Sequence, residues 1–366
     1  MTKLQDLYEV GGQSPWLDNL RRDWIQDGQL ADWVARGVRG VTSNPSIFQK
    51  AMTGQAVYDP QFRELLARHR AVEDIYWDMV VTDISSALDI LRPVFEASEG
   101  LDGFVSVEVA PSLARDTAGT LEAARGLHQR IDAPNLYVKI PGTAEGVPAI
   151  RQVIADGKSV NVTLLFSVSR YAEVIEAYLS GLEAHDGPLA PVSSVASFFV
   201  SRVDSEVDKR LDAIGTPEAL ALKGKAAVAN AQLAYELFLE KFSGPRWEAL
   251  AARGARVQRP LWASTSTKDP SYPKTLYVDT LIAPDTVNTM PEATLDAFED
   301  TGTIARTAAA DLDGARRVLA DLAALGIDLD DVTAQLEDEG VASFQKAFDE
   351  LIASLAEKAT SLGGEA

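Results

Sequence analysis

The run NLYVKIPG, residues 135–142, is short, apolar and β-branched, yet it carries a lysine in its middle. Leu136, Val138 and Ile140 alternate with Asn135, Tyr137 and Lys139. Side chains two apart share one face of a strand. A parallel strand buried on both faces should read as apolar throughout. This strand instead has one polar face, and Pro141-Gly142 ends it in a turn. The same pattern recurs on either side. GFVSVEVA (103–110) sets Ser106 and Glu108 against Val105, Val107 and Val109, and KSVNVTLL (158–165) sets Asn161 and Thr163 against Val160, Val162 and Leu164. PVSSVAS (191–197) and RPLWAST (259–265) are further strand-like runs. Three weaker ones, SPWLDNL (14–20), RGVRGVTSN (36–44) and TLYVDTLIAPDTVNTM (275–290), bring the number to eight.

Helical patterns separate these runs. They fall at 61–97 (long enough for two helices, with Pro93 as the expected break), 114–130, 168–184 and 217–242, and at 303–322 and 328–358 toward the end of the chain. Strands alternating with helices imply βαβ units and a parallel sheet. Eight units predict an α/β fold: a (β/α)₈ barrel with additional N- and C-terminal helices. The expectation is one domain over 1–366, with helices of about 303–358 packed over the barrel's outer ring or serving as a subunit interface. A doubly wound nucleotide-binding fold would call for GxGxxG or GxxxxGK[ST], and neither occurs.

The chain has 34 basic and 54 acidic residues, a net charge of −20. So acidic a body repels phosphate backbones and anionic membrane, which argues against nucleic acid and membrane as partners. A phosphorylated substrate would need a local positive site. There is no cysteine, which rules out disulfides and thiolate chemistry. The start, MTKLQDLYEV, has no apolar signal segment, and no run of 18 apolar residues occurs, so a cytoplasmic protein is expected. His69, His128 and His185 lie far apart with no HxH or HExxH spacing, so no metal is expected, although carboxylates alone can hold Mg²⁺.

Active sites of such barrels lie at the carboxyl ends of the strands. Lys139 suits a Schiff-base nucleophile, because burial disfavours the ammonium and frees the amine. Its bland alternative is an interior ion pair. Glu108 suits proton transfer, or is that pair's other half. Asp18 suits the base for carbon–carbon cleavage, or caps a helix. Asn44, in TSNPS, points its amide at substrate hydroxyls, or serves only as a cap. Arg202, in SFFVSRVD near Ser197, suits phosphate by bidentate contact. Its alternative is pairing with Asp204 or Asp208. Ser264 to Lys268 offer hydroxyls and a cation, or a solvated turn.

The motifs SPWLDNLRRDWI, GVRGVTSNPSIF, VSVEVAP, YVKIPGTAEG, NVTLLFS, ASFFVSRVD and LWASTSTKDP, in this order, resemble the transaldolase family in its longer bacterial type. About 65 residues at the end carry no such motif. The resemblance implies a class I aldolase on a (β/α)₈ barrel, working in the pentose phosphate pathway with no metal or cofactor. Such an enzyme moves a dihydroxyacetone unit from sedoheptulose 7-phosphate or fructose 6-phosphate to glyceraldehyde 3-phosphate or erythrose 4-phosphate. Carried over by motif, Lys139 forms the Schiff base and Asp18 is the acid/base. Glu108 and Thr163 hold a water. Asn44 and Asn161 bind substrate hydroxyls. Ser197 and Arg202 bind phosphate, and Phe199 shapes the pocket. Many members carry an arginine after the strand-seven Ala-Ser, where this chain continues Thr265-Ser266-Thr267-Lys268; Lys268 is then the second phosphate cation. The alternatives are a Schiff-base aldolase of the fructose-6-phosphate type and a non-catalytic phosphosugar-binding barrel. A monomer or a homodimer is expected.

Overall fold

The computed structural model describes residues 1–68 and 71–362. Eight parallel strands close into a barrel in chain order. They are β1 (Gln13–Leu17), β2 (Gly40–Thr42), β3 (Phe104–Glu108), β4 (Leu136–Pro141), β5 (Val160–Leu165), β6 (Ser194–Phe199), β7 (Arg259–Ala263) and β8 (Thr286–Met290). Pairing of β8 with β1, where Trp16 lies opposite Thr289, closes the ring. Six of the eight strands fall within the runs singled out in the sequence; β1 starts one residue before its run, and β6 ends two residues past its run.

Alternation sorts the strand residues into two faces. Val105, Val107, Val138, Ile140, Val160 and Val162 point outward and are sealed beneath the helices. The inward columns are Ser14-Trp16-Asp18, Gly40-Thr42, Phe104-Ser106-Glu108, Tyr137-Lys139 and Asn161-Thr163. Registers match these columns: Ser106 lies opposite Tyr137, Glu108 opposite Lys139 and Lys139 opposite Asn161. The lower interior is packed solid. Phe104 stacks on Tyr137 at 4.1 Å and Tyr137 on Trp16 at 6.1 Å between centroids. Gly40 is required here, since a Cβ would sit 2.4 Å from the Trp16 indole. Beneath the rings, Asp102 accepts from Ser14 Oγ (2.7 Å), Trp16 Nε1 (3.1 Å), Arg39 Nε (2.8 Å) and Arg259 Nη2 (3.0 Å). The fill stops at the carboxyl ends of the strands, where a cavity opens.

Several helix expectations need correction. Pro93 does not break its helix, which runs from Val72 to Ala97. The missing N–H frees only the carbonyl of Asp89, an exposed residue whose carbonyl water can serve. The break between two helices comes earlier, after Asp59–Leu66. The 217–242 pattern is two helices, Pro217–Leu220 and Ala226–Lys241. Gly224, at φ 71°, turns the chain between them. The 303–322 pattern becomes helical only at Leu312–Ala324, capped by Asp311. The last helix, Leu329–Ser361, does not merely pack on the outer ring. It crosses the carboxyl end of the barrel, and its Phe344 lines the cavity. Arg115 to Asp338, Arg210 to Asp331 (2.7 Å) and Lys358 to Asp59 tie it down. Among the described residues no helix is long and apolar enough to cross a membrane.

Candidate active site

A cavity of about 350 Å³ lies at the carboxyl ends of the strands. Asp18, Thr42, Asn44, Lys139, Thr163, Ser197, Phe199, Arg202 and Lys268 all line it. Residues far apart in sequence meet because each occupies the top of its own strand, or the loop after it.

Lys139 forms part of the floor and is only 5% exposed. Its Nζ donates to the carbonyl of Ser43 (3.0 Å) and lies 3.2 Å from Glu108 Oε2. The ion pair weighed as the bland reading is therefore present: Lys139 lines the cavity, while Glu108 lies behind it beside Tyr76 and Phe348. Glu108 is the last residue of β3. Burial pushes its carboxyl above the usual carboxylate range; Lys139 pulls it back and Asp18 adds to the rise. Thr163 Oγ1 is buried without a hydrogen-bond partner among the described residues, and Glu108 Oε2 is buried with the Lys139 ammonium beside it. Leu164, next to Thr163, has φ 57°, in a bulge between β5 and β6. Ser264, just past β7, has φ 55°. Both are non-glycine residues in the left-handed region, at a cost of about 1–2 kcal/mol each.

Asp18 directly follows β1 and continues its ladder, its N–H donating to Met290 O (2.9 Å). It caps no helix: Arg22–Gln26 starts after Arg21 without a side-chain cap. Its Oδ1 accepts from Thr42 Oγ1 at 2.7 Å. Burial raises its pKa above the usual range. Lys139 and the Thr42 hydroxyl pull it down, and Glu292 pushes it up.

Asn44 is a helix cap that also reaches the cavity. Its Oδ1 caps the helix Pro45–Met52, accepting from Ile47 N (3.0 Å), while the residue lines the cavity. Asn161 is placed differently. It is the second residue of β5, a layer below the cavity wall. Its Nδ2 donates to Ser106 Oγ (3.0 Å), and its Oδ1 accepts from Ser197 Oγ (2.7 Å). It thus orients Ser197, which does line the cavity.

The guanidinium of Arg202 lies 5.1 Å from the Phe199 ring and 5.8 Å from that of Phe344. It pairs with neither Asp204 nor Asp208. Asp204 accepts from Ala227 N (2.8 Å) and the Tyr277 hydroxyl (2.7 Å); Asp208 accepts from Gly224 N (2.9 Å) and the Tyr272 hydroxyl (2.6 Å). Burial pulls the Arg202 pKa down. Lys268 donates to Ser266 Oγ at 2.9 Å. Burial lowers its pKa as well, and the charges of Arg202 and Lys50 add to that. Four basic side chains, Lys50, Lys139, Arg202 and Lys268, thus converge on one cavity in a chain of net charge −20.

Sequence reasoning missed Lys50, Thr289 and Phe344, which also line the cavity. Lys50 had a signal, since Ser46, Ile47 and Lys50 share a face of the helix that Asn44 caps. Phe344 had none, for it depends on where the last helix lies. Two histidines take local structural contacts. His128 Nε2 lies 3.0 Å from Ser159 O, with burial pushing its pKa down to about 4, and His185 Nδ1 lies 2.9 Å from Ala155 O. His69 lies outside the described residues. Among the described residues no three His, Asp or Glu side chains group as a metal site would need.

Comparison with known proteins adds a second line. Residues 15–355 match the family model described as Transaldolase/Fructose-6-phosphate aldolase. A protein of Acidothermus cellulolyticus named transaldolase is 54% identical over 353 residues, 94% of each chain. One of Frankia alni with the same name is 52% identical over 354 residues, 95% of each chain. One of Mycolicibacterium smegmatis, also named transaldolase, is 52% identical over 354 residues, 94% of each chain. With nearly its whole length matched and the barrel in place, the chain belongs to the transaldolase/fructose-6-phosphate aldolase family.

Proposed function

We propose that this chain is a transaldolase acting on sugar phosphates through a Schiff base on Lys139. The observation that carries the reading is a buried lysine on the floor of a cavity whose mouth holds cations with no carboxylate partner among the described residues. An interior ion pair made for stability would have no need of a cavity above it.

The chemistry follows from the placements. Lys139 Nζ gives its lone pair to the C2 carbonyl of a bound ketose phosphate, and the resulting carbinolamine loses water to form an iminium. Glu108, beside the Lys139 amine, and Thr163, whose buried hydroxyl lacks a partner, hold the water that enters and leaves in these steps. Asp18 takes the C4 hydroxyl proton. The C3–C4 bond breaks, its electrons pass to the iminium, and an enamine stays on Lys139. The aldose phosphate departs. A second aldose phosphate is attacked by the enamine, and Asp18 returns the proton to the new hydroxyl. Arg202, Lys268 and Lys50 hold the phosphate together with the Ser197 hydroxyl, while Asn44 holds substrate hydroxyls. Phe199 and the Phe344 roof exclude water from the enamine, which separates transfer from plain cleavage.

The test is borohydride trapping with fructose 6-phosphate, followed by intact mass and peptide mapping. A reduced three-carbon adduct on Lys139, absent in Lys139→Ala, is expected. Adding erythrose 4-phosphate should yield sedoheptulose 7-phosphate. An adduct on no lysine sinks the Schiff base. Release of free dihydroxyacetone at the same rate with and without acceptor favours the simple aldolase instead.

A further inference from the structure

We propose that Thr289 and Thr42 form a directed chain of hydroxyls that reserves one oxygen of Asp18, Oδ2, for the substrate's proton. The inference rests on the reading of Asp18 as the acid/base. Its basis is donor counting. Thr42 Oγ1 lies 2.7 Å from Asp18 Oδ1 and 2.6 Å from Thr289 Oγ1. A hydroxyl has one proton to give, and an ionised carboxylate can only accept. Thr42 therefore spends its proton on Asp18, and the proton in the second contact must come from Thr289. The chain runs one way, from Thr289 on β8 to Thr42 on β2 to Asp18 after β1. Thr42 and Thr289 are only 2% and 3% exposed, so bulk water competes little for these bonds. All three residues line the cavity.

This order has a chemical consequence. With Oδ1 occupied by Thr42, the substrate meets Oδ2. The hydroxyl O–H of the substrate breaks and an O–H forms on Oδ2. The electron pair left on the substrate oxygen forms the new carbonyl as the C3–C4 bond breaks. Asp18 is then neutral, and Oδ1 has become a carbonyl-type oxygen that still accepts from Thr42. The hydroxyls need not turn in either state, which is preorganisation in the useful sense. In the return step the proton leaves Oδ2 for the new alkoxide and the same arrangement holds.

The groups facing Asp18 come from several elements. Lys139 on β4, Lys268 after β7 and Arg202 after β6 favour its charged form; Glu292 after β8 and Glu108 on β3 oppose it. The Thr42 hydroxyl acts with the cations. Its loss should raise the pH at which Asp18 becomes a base. Thr42 and Thr289 are thus positioning residues.

The test compares Thr42→Val, Thr42→Ser, Thr289→Val, Thr289→Ser and Asp18→Asn. The readouts are the pH profile of kcat for fructose 6-phosphate with erythrose 4-phosphate, and borohydride trapping at Lys139. Thr42→Val should move the acid limb of kcat up by about one pH unit while Lys139 is still trapped. Thr42→Ser keeps the hydroxyl and should restore the limb. Thr289→Val should give a smaller rise, reversed in Thr289→Ser. A merely structural threonine would change thermal stability and leave the limb in place, and that result overturns the chain. If Thr42→Val does not fold, the Thr289 pair decides on the same readout. Asp18→Asn separates the two ideas. Turnover lost with trapping kept supports Asp18 as the base whatever the threonines do, whereas wild-type turnover in Asp18→Asn removes the reading on which the chain depends.

Discussion

The two ends of this barrel treat buried charge in opposite ways. At the amino end Asp102 is saturated: two arginines, one serine and one indole all donate to it. Burial alone would raise its pKa, but Arg259 and Arg39 together outweigh burial and hold it below the usual range. At the carboxyl end Asp18 and Glu108 are pushed above that range, because burial there is matched by fewer partners. Arg202 and Lys268 face the cavity with no carboxylate partner among the described residues. The lesson is that pairing marks the end built for stability, and incomplete pairing marks the end built for a ligand.

The largest test of this contrast is Asp102→Ala. It leaves the partly buried guanidiniums of Arg39 and Arg259, and the buried Ser14 and Trp16 donors, without their acceptor, and should cost about 3 kcal/mol of unfolding free energy, read by urea denaturation. The protein that stays folded should keep its kcat. Arg202→Ala should do the reverse. It should raise KM for the phosphorylated donor roughly a hundredfold, with stability unchanged or slightly higher. A large stability loss in Arg202→Ala would break the comparison.

A third test follows from linkage. Asp102 has a depressed folded pKa, so its contribution is present above about pH 4, the unfolded value, and is lost as the pH falls through the folded one. Asp18 has a raised folded pKa. Between its unfolded and folded values the native state binds more protons, so its charge costs stability as the pH rises through that window. Asp18→Asn should therefore melt at or above the wild-type temperature at pH 7, with turnover lost. A fall in melting temperature would place Asp18 with the paired, stabilising charges. The smallest effect belongs to Lys50→Ala. Lys50 sits on an exposed helix end, and its loss should raise KM only several-fold. No change in KM would remove it from the phosphate site.

Much of this was legible in the chain. The alternation in NLYVKIPG and its sister runs shows the barrel and also the polar inward columns, because strand periodicity is strictly two and local. Lys139, Glu108, Asp18, Thr163, Arg202 and Lys268 stand out because charged or polar groups break apolar runs or cluster in the loops just past them. Asn161 was legible as inward but not as a lower layer, since strand tilt sets height and no single strand reveals it. Helix ends were less legible. Pro93 reads as a break, yet near a helix end its lost hydrogen bond falls to an exposed carbonyl.

The sequence alone determined which residues face inward, that the interior has a polar rim, and that cysteine chemistry plays no part. These follow from periodicity and residue type, which act over a few positions. The tertiary structure decided the rest. It set the path of Leu329–Ser361 over the cavity and the arrival of Phe344 beside Arg202. It freed Arg202 by giving Asp204 and Asp208 to tyrosines and backbone amides. It joined Thr289 to Thr42 across a seam formed by β8, β1 and β2. Each of these depends on groups tens to hundreds of residues apart, whose meeting is fixed only when the ring of strands closes.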